Sequence, residues 1–507
     1  VELGSTEEIV IRDDSTGATI VLPDGASTTG TLTVEVVVDG RDALSVADVE
    51  VELILPDGDA ELIPTLSASD GTVEAQRRPP VDSAVVLGLL GVVIVLWITE
   101  LIPLFVTSLS IPVVLVVFDT TTASDALAPF FDPIIVLFFG GFVMAEAMHR
   151  TGLDHWVATT IVAVAGTSPV RLFATMLATS AFMSMWMSNT ASVAALLPVA
   201  LAVTAALGDA GFQKATILGI AYAATIGGVG SAIGTPANQL AIRFTDDLTG
   251  REISFVEWFA FGLPMVVLFL PVMGVYLWWS SRARVGEADF AAARETAIAE
   301  RAELGGFTKE QSQVLGVFAI VAALWLTQTW HGVNAGIVAL GGAIVLFAIG
   351  RALPDDLGRI SWATLLTFGG GLALGVAMID SGTADWIVTR LGGIDTSPIL
   401  TVAIVAVVSL VVTTVASNTA SAAMLIPLAV PLAGLVGVDP VLLVVTVAIA
   451  SSIDFALVIG TPPTMLAFST RLFTPAEILR KGAPLDLIGL VILVVGVTSF
   501  WQLVGLV

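Results

Sequence analysis

Two five-residue segments of this chain are identical: Ser188-Asn189-Thr190-Ala191-Ser192 and Ser417-Asn418-Thr419-Ala420-Ser421, 229 positions apart. Pro198 and Pro427 follow them at the same distance. Hydroxyl and amide side chains both donate and accept hydrogen bonds. Their oxygens, joined by main-chain carbonyls freed at a helix break, suit a hard cation such as sodium. Their donors, joined by neighbouring helix N-termini, suit carboxylate oxygens. Each copy interrupts an apolar stretch too long for the core of a soluble domain, where polar groups need partners or a ligand. Small polar residues also cap and pack membrane helices without binding anything. One copy would favour that plainer reading; two copies at one spacing favour a binding site.

Other landmarks repeat in the same order. Trp97-Ile98-Thr99 returns as Trp325-Leu326-Thr327, Phe139-Gly140-Gly141 as Phe368-Gly369-Gly370, and Gly234-Thr235-Pro236 as Gly460-Thr461-Pro462, at offsets of 228, 229 and 226. The chain therefore reads as two homologous halves, 81–280 and 311–507. In the first half, apolar helices are predicted near 83–100, 102–118, 132–149, 213–245 and 254–279, the fourth interrupted at Gly-Thr-Pro. The stretch 170–207 has the triplet at its middle and short polar loops at both ends, so it reads as a re-entrant hairpin with the triplet at its tip; 397–435 is its counterpart. Five crossings per half is an odd number, which inverts the second half relative to the first. The fold class expected is thus an α-helical polytopic membrane protein of two inverted repeats. Each repeat has five transmembrane helices, a re-entrant hairpin and an unwound helix. Four breaks in apolar surroundings argue for one central polar site.

Composition supports a multi-pass protein of the cell membrane: 56% of the 507 residues are hydrophobic and only 13% are charged. The net charge of −24 is concentrated at the start, where residues 1–80 hold 17 acidic and 4 basic residues. β-Branched runs at Thr31–Val38 and Val49–Leu55, broken by Pro-Asp-Gly and Asp-Gly turns, predict a small acidic β domain over 1–80. Solvation explains its acidic loops better than calcium does, since no EF-hand spacing is present. Dense carboxylates with only three lysines in the chain (Lys214, Lys309, Lys481) suggest a high-salt habitat, such as that of a halophilic archaeon. Residues 281–310 predict a cytoplasmic linker helix. With that loop inside, thirteen Lys and Arg residues fall on the cytoplasmic side and three (Arg243, Arg251, Arg390) opposite, which places both termini and the β domain outside.

No Lys or Arg lies near the four breaks in sequence, so a dianion held there would need mobile cations to offset it. Asp454, in the helix before the second Gly-Thr-Pro, is an acid at membrane depth and a possible coupling residue. It could bind a proton or a cation, repel a dianion, or make a structural hydrogen bond. Glu146 is paired with Arg150, one turn on. Trp278, Trp279, Trp325, Trp330 and Trp501 are placed as interfacial anchors.

At these residues the chain resembles the divalent anion/sodium symporter family, which takes up dicarboxylates, citrate or sulfate. The doubled Ser-Asn-Thr, the paired Thr-Pro loops and the Trp97, Thr99, Glu100, Pro103 entry carry the likeness, over about 82–507. It implies a homodimer in the lipid bilayer with an elevator-like movement of a transport part, and no cofactor besides sodium as coupling ion. Carried over, Ser188, Asn189, Thr190, Ser417, Asn418 and Thr419 contact substrate carboxylates, with Thr461 and Pro462 closing the substrate side. One sodium sits among Ser184, Ser188, Asn189 and Gly234; a second sits among Thr413, Ser417, Asn418 and Gly460. The sequence departs from the family in its N-terminal β domain, in Thr464 where asparagine is usual, and in Asp454.

The function expected is sodium-coupled symport of a small dianion, most simply a C4-dicarboxylate such as succinate, malate or fumarate. A sodium-independent exchanger and a sulfate or citrate transporter remain alternatives, and a binding-only sensor is not separated by sequence. A channel would want an open charged pore lining. An intramembrane hydrolase would want His or Lys deep in a span, so no enzyme is expected, and nothing points to nucleic acid. Absence of cysteine removes thiol and disulfide chemistry.

Overall fold

The computed structural model describes residues 81–164, 168–281, 306–390, 397–458 and 460–506, with five short strands before them. Strand β1 (Ile9–Arg12) lies antiparallel between β2 (Thr19–Leu22) and β3 (Glu52–Leu53), and β4 (Thr65–Leu66) pairs with β5 (Val73–Glu74). β3 falls within the expected run Val49–Leu55. The expected strand at Thr31–Val38, like most of the linker helix expected over 281–310, lies outside the described residues.

The first half runs α1 (Val81–Thr99), α2 (Leu104–Val117), α3 (Ala123–Leu127), α4 (Pro133–Arg150), α5 (Leu153–Val164), α6 (Pro169–Ser184), α7 (Asn189–Ala206), α8 (Ala210–Val229), α9 (Pro236–Thr249) and α10 (Phe255–Ser280). The second half runs α11 (Lys309–Leu326), α12 (Ala335–Ala348), α13 (Trp362–Asp380), α14 (Thr383–Arg390), α15 (Pro398–Val415), α16 (Asn418–Val436), α17 (Pro440–Ala450), α18 (Pro462–Ser469) and α19 (Pro475–Val491), the last continuing through a π turn to Leu503. Six helices among the described residues are long and apolar enough to cross a membrane. The helices expected in the first half are present to within a few residues, although ten crossings were expected and six described helices meet that length and composition. The short helices α5 and α14 were not foreseen, because each is cut from its neighbour by one positive-φ glycine, Gly152 or Gly382.

Helix starts follow local chemistry. Ser188 and Ser417 accept hydrogen bonds from the N–H groups of Ala191 and Ala420, capping α7 and α16. Asp132, Asp209 and Asp439 cap α4, α8 and α17 in the same way. Proline at the first position opens α4, α6, α9, α15, α17, α18 and α19, where its missing N–H costs no hydrogen bond.

Contacts between the halves come in repeat-related pairs. Helix α4 packs on α12 and α13 on α2; α9 packs on α16 and α18 on α7; α17 packs on α9 and α8 on α18. Both of the first two contacts include a close approach at a glycine, though not at equivalent positions: a Cβ on Gly140 would overlap Ala339, and one on Gly370, the counterpart of Gly141, would overlap Ser108. The tryptophans Trp97 and Trp325, at equivalent positions, are both fully buried. Three expected anchors are corrected here. Trp325 and Trp501 are core residues whose ring N–H groups donate to Ala335 and Phe261 carbonyls, and Trp278 packs against Phe173 and Phe212. Of the five expected anchors, Trp279 and Trp330 are exposed.

This packing makes neighbouring glycines unequal. Gly140→Val should lower thermal stability in detergent by about 1–3 kcal/mol through overpacking. Gly141→Val, with open space at its Cβ, should leave the melting curve unchanged.

Candidate functional site

The four breaks converge. Ser188, Asn189, Thr190, Gly234, Thr235, Pro236, Ser417, Asn418, Thr419, Gly460, Thr461 and Pro462 all line one cavity of about 810 Å³. Of the residues singled out from sequence, Ser184, Thr413 and Asp454 stand behind its wall, each fully buried.

Both tips are built alike. Ser184 Oγ donates to Asn189 Oδ1 at 2.6 Å, and Thr413 Oγ1 lies 3.0 Å from Asn418 Oδ1. Each contact holds an amide oxygen against a buried hydroxyl, and both asparagines line the cavity. Thr413 Oγ1 also lies 2.7 Å from the Ser451 carbonyl. The polar groups are thus layered. Oxygen-rich clusters suited to hard cations lie in the wall, and hydrogen-bond donors suited to an anion face the open space.

Helices α7, α9, α16 and α18 all start at this cavity. A helix N-terminus carries unpaired N–H groups and roughly half a positive charge. Four of them make an electropositive site without a lysine or arginine at the tips. Pro236, Pro462 and Pro463 contribute no N–H, so α7 and α16 supply most of the donors.

The two Gly-Thr-Pro breaks are held differently. In the first, Asn238 Nδ2 lies within hydrogen-bond distance of the Gly228, Val229 and Ser231 carbonyls, at 3.0, 3.4 and 2.7 Å. Trp258 also donates to Val229 O. In the second, Thr464 replaces that asparagine and lies 2.9 Å from Thr461 Oγ1. The segment is pinned instead at Phe455, whose carbonyl accepts from Tyr222 at 2.7 Å and whose N–H donates to Asp486 Oδ1 at 2.8 Å. Asp486, a buried acid on α19, was not picked out from sequence. Its role depends on a contact across 31 residues that no local motif reports.

One end of the cavity reaches Glu146, His149, Asp154 and Arg359. This corrects two expectations. A cationic residue does line the cavity, at its mouth: Arg359 pairs with Glu146 at 3.0 Å. Arg150, expected to pair with Glu146, instead bonds Asp356 at 3.1 Å, bringing α4 against the turn before α13. His149 contacts Asp154 at 2.9 Å, and the described residues contain no group of His and acids able to hold a metal ion.

The citrate transporter family model matches residues 94–450 and, separately, 330–504. The chain belongs to that family. It is a divalent anion/sodium symporter family member, as its doubled motifs implied. It is 31% identical over 427 residues to the sodium-dependent dicarboxylate transporter SdcS of Staphylococcus saprophyticus, covering 78% of this chain and 82% of that one. The Staphylococcus aureus protein of the same name is 32% identical over 428 residues with the same coverage. The fold resembles the Alcanivorax borkumensis YdaH transporter, with a TM-score of 0.55 at 12% identity over 84% of this chain and 99% of that one. It also resembles Neisseria gonorrhoeae MtrF, with a TM-score of 0.51 at 13% identity over 76% and 84%. The family members are multi-pass membrane transporters, not enzymes.

Asn238 supports the first break most directly. Asn238→Ala leaves buried carbonyls without a donor and should destabilise the protein by about 1–3 kcal/mol, read as a lower melting temperature in detergent. Thr464→Ala, which removes a single hydroxyl, should cost less than half of that shift.

Proposed function

We propose that this protein is a sodium-coupled symporter of small divalent anions, with C4-dicarboxylates such as succinate, malate or fumarate as its substrates. The observation that carries the reading is the convergence of two matching tips and four helix N-termini on one cavity, with cation-type oxygen clusters behind it. Two chemically equal tips suit a ligand with two carboxylates. Ser188, Asn189 and Thr190 take one end, Ser417, Asn418 and Thr419 the other, and Thr461 with Pro462 closes the substrate side. One sodium is held among Ser184, Ser188, Asn189 and Gly234, the second among Thr413, Ser417, Asn418 and Gly460. Sodium travels as cargo and offsets the dianion where the protein places no fixed cation. The SdcS relatives, by name sodium-dependent dicarboxylate transporters, support this choice over a sodium-independent exchanger.

The mechanism we assign is alternating access of the elevator type in a homodimer, with the two halves as inverted repeats. The paired contacts α9 with α16 and α18 with α7 are what a two-fold relation between halves would generate; the odd number of spans expected per half makes that relation an inverted one. The cavity reaches the end of the bundle that bears Arg359, on the side that the loop charges make cytoplasmic, and so corresponds to an inward-facing state. The acidic segment 1–80 is read as an extracellular β domain.

Uptake of labelled succinate into proteoliposomes, with an inward sodium gradient against matched potassium, tests this. Sodium should drive accumulation, and Asn189→Ala or Asn418→Ala should each lower it by about 10–100-fold, the worth of a hydrogen bond to a charged group. Flux that ignores sodium but needs internal dicarboxylate would make the protein an exchanger. Accumulation of citrate or sulfate in place of succinate would change the substrate.

A further inference from the structure

The two oxygen clusters are not equivalent, and the difference lies in two residues. At the offset of 226 that relates Gly234 to Gly460, Gly228 corresponds to Asp454. Position 228 sits against the first cluster: a Cβ there would crowd Asn189 Oδ1 and the Gly234 carbonyl. At the second cluster the corresponding side chain is a carboxylate, and it lies hard against the Gly460 loop, where a Cβ on Gly460 would overlap it. Asp454 is fully buried, and neither of its oxygens has a hydrogen-bond partner. A buried carboxylate without donors is among the costliest groups a protein can hold, unless a cation completes its surroundings.

The neighbouring residues do not supply that cation. Asp486, facing from α19, is itself an acid and is engaged with the Phe455 N–H; Tyr222, from α8, donates to the Phe455 carbonyl. Among the described residues no Lys, Arg or His forms an ion pair with Asp454. The amide that could have reached it is also gone. In the first break Asn238 reaches the Gly228 carbonyl, whereas its counterpart Thr464 is engaged with Thr461. Both substitutions, an acid gained and an amide donor lost, act at the same place and in the same direction.

We propose that the Asp454 carboxylate is a direct ligand of the coupling cation at the second site, together with Thr413, Asn418 and the Gly460 loop. This deepens, and rests on, the symporter reading. One cation site is then built from neutral oxygens and the other carries a fixed negative charge, so the second holds its ion more tightly.

The test is a sodium titration at constant total salt, with choline replacing sodium, read as thermal stabilisation of the detergent-purified protein and as succinate uptake in proteoliposomes. Asp454→Asn, which keeps the shape and removes the charge, should raise the sodium midpoint by about tenfold or more, as loss of a charged ligand does. The KM for succinate at saturating sodium should stay within about threefold, because Asp454 does not touch the substrate. Asp454→Gly, which copies the first half, should show the same shift and guards against a folding defect particular to asparagine. An unchanged midpoint in both Asp454 variants would overturn the proposal. So would loss of the pH dependence of uptake with sodium affinity intact, since Asp454 would then carry a proton. If the wild type takes up no succinate but the stabilisation midpoint still shifts in both variants, the cation site stands and the substrate assignment fails.

Discussion

Everything in this fold depends on one constraint: a peptide group inside a bilayer must find its hydrogen-bond partner within the protein or at a wet surface. Four helix breaks violate the simplest way of meeting it. The structure meets it by gathering all four at one cavity and tying the two unwound segments with buried side chains. Asn238 and Trp258 hold the carbonyls of the first unwound segment, and Tyr222 with Asp486 holds the second. The breaks are stable only because they are together, and their being together is what makes the site.

The same arrangement sets the electrostatics. Helix N-termini present partial positive charge that cannot leave, rotate away or pair with a stray carboxylate, in contrast to a lysine on a flexible stem. The cavity can therefore favour an anion while its tips remain free of ionised side chains. Asn189 and Asn418 line that cavity while their side-chain oxygens lie against the buried hydroxyls of Ser184 and Thr413. In the symport proposed above, the cations form a separate layer behind these amides, and an amide oriented by an ion on one side would be better placed for a carboxylate on the other.

Much of this was legible in the sequence because it was written twice. The Ser-Asn-Thr and Gly-Thr-Pro pairs located the cavity lining, and apolar run lengths located the helices. Much of what escaped notice depends on contacts between elements separated in sequence, some of them across the halves. The Glu146 to Arg359 and Arg150 to Asp356 pairs span more than 200 residues, so local spacing suggested the wrong partner for Glu146. Trp325 and Trp501 sit at helix ends as interfacial anchors do, and only the packing shows them to be core. The described strands of the acidic segment before Val81 pair with one another.

The reciprocal packing of α9 on α16 and α18 on α7 has a consequence for biosynthesis. Each half lacks part of what covers its own breaks: α9 packs on α16 and α17, and α7 and α8 pack on α18. A ribosome adding about 5–20 residues per second needs roughly 10–50 s to make the missing 230 or so. For that time the first hairpin and the first unwound segment are in or at the membrane without the surfaces that will cover them. The newly made first half is then the stage at which insertion machinery, chaperones and membrane proteases have most to act on, and completion of α18 ends it.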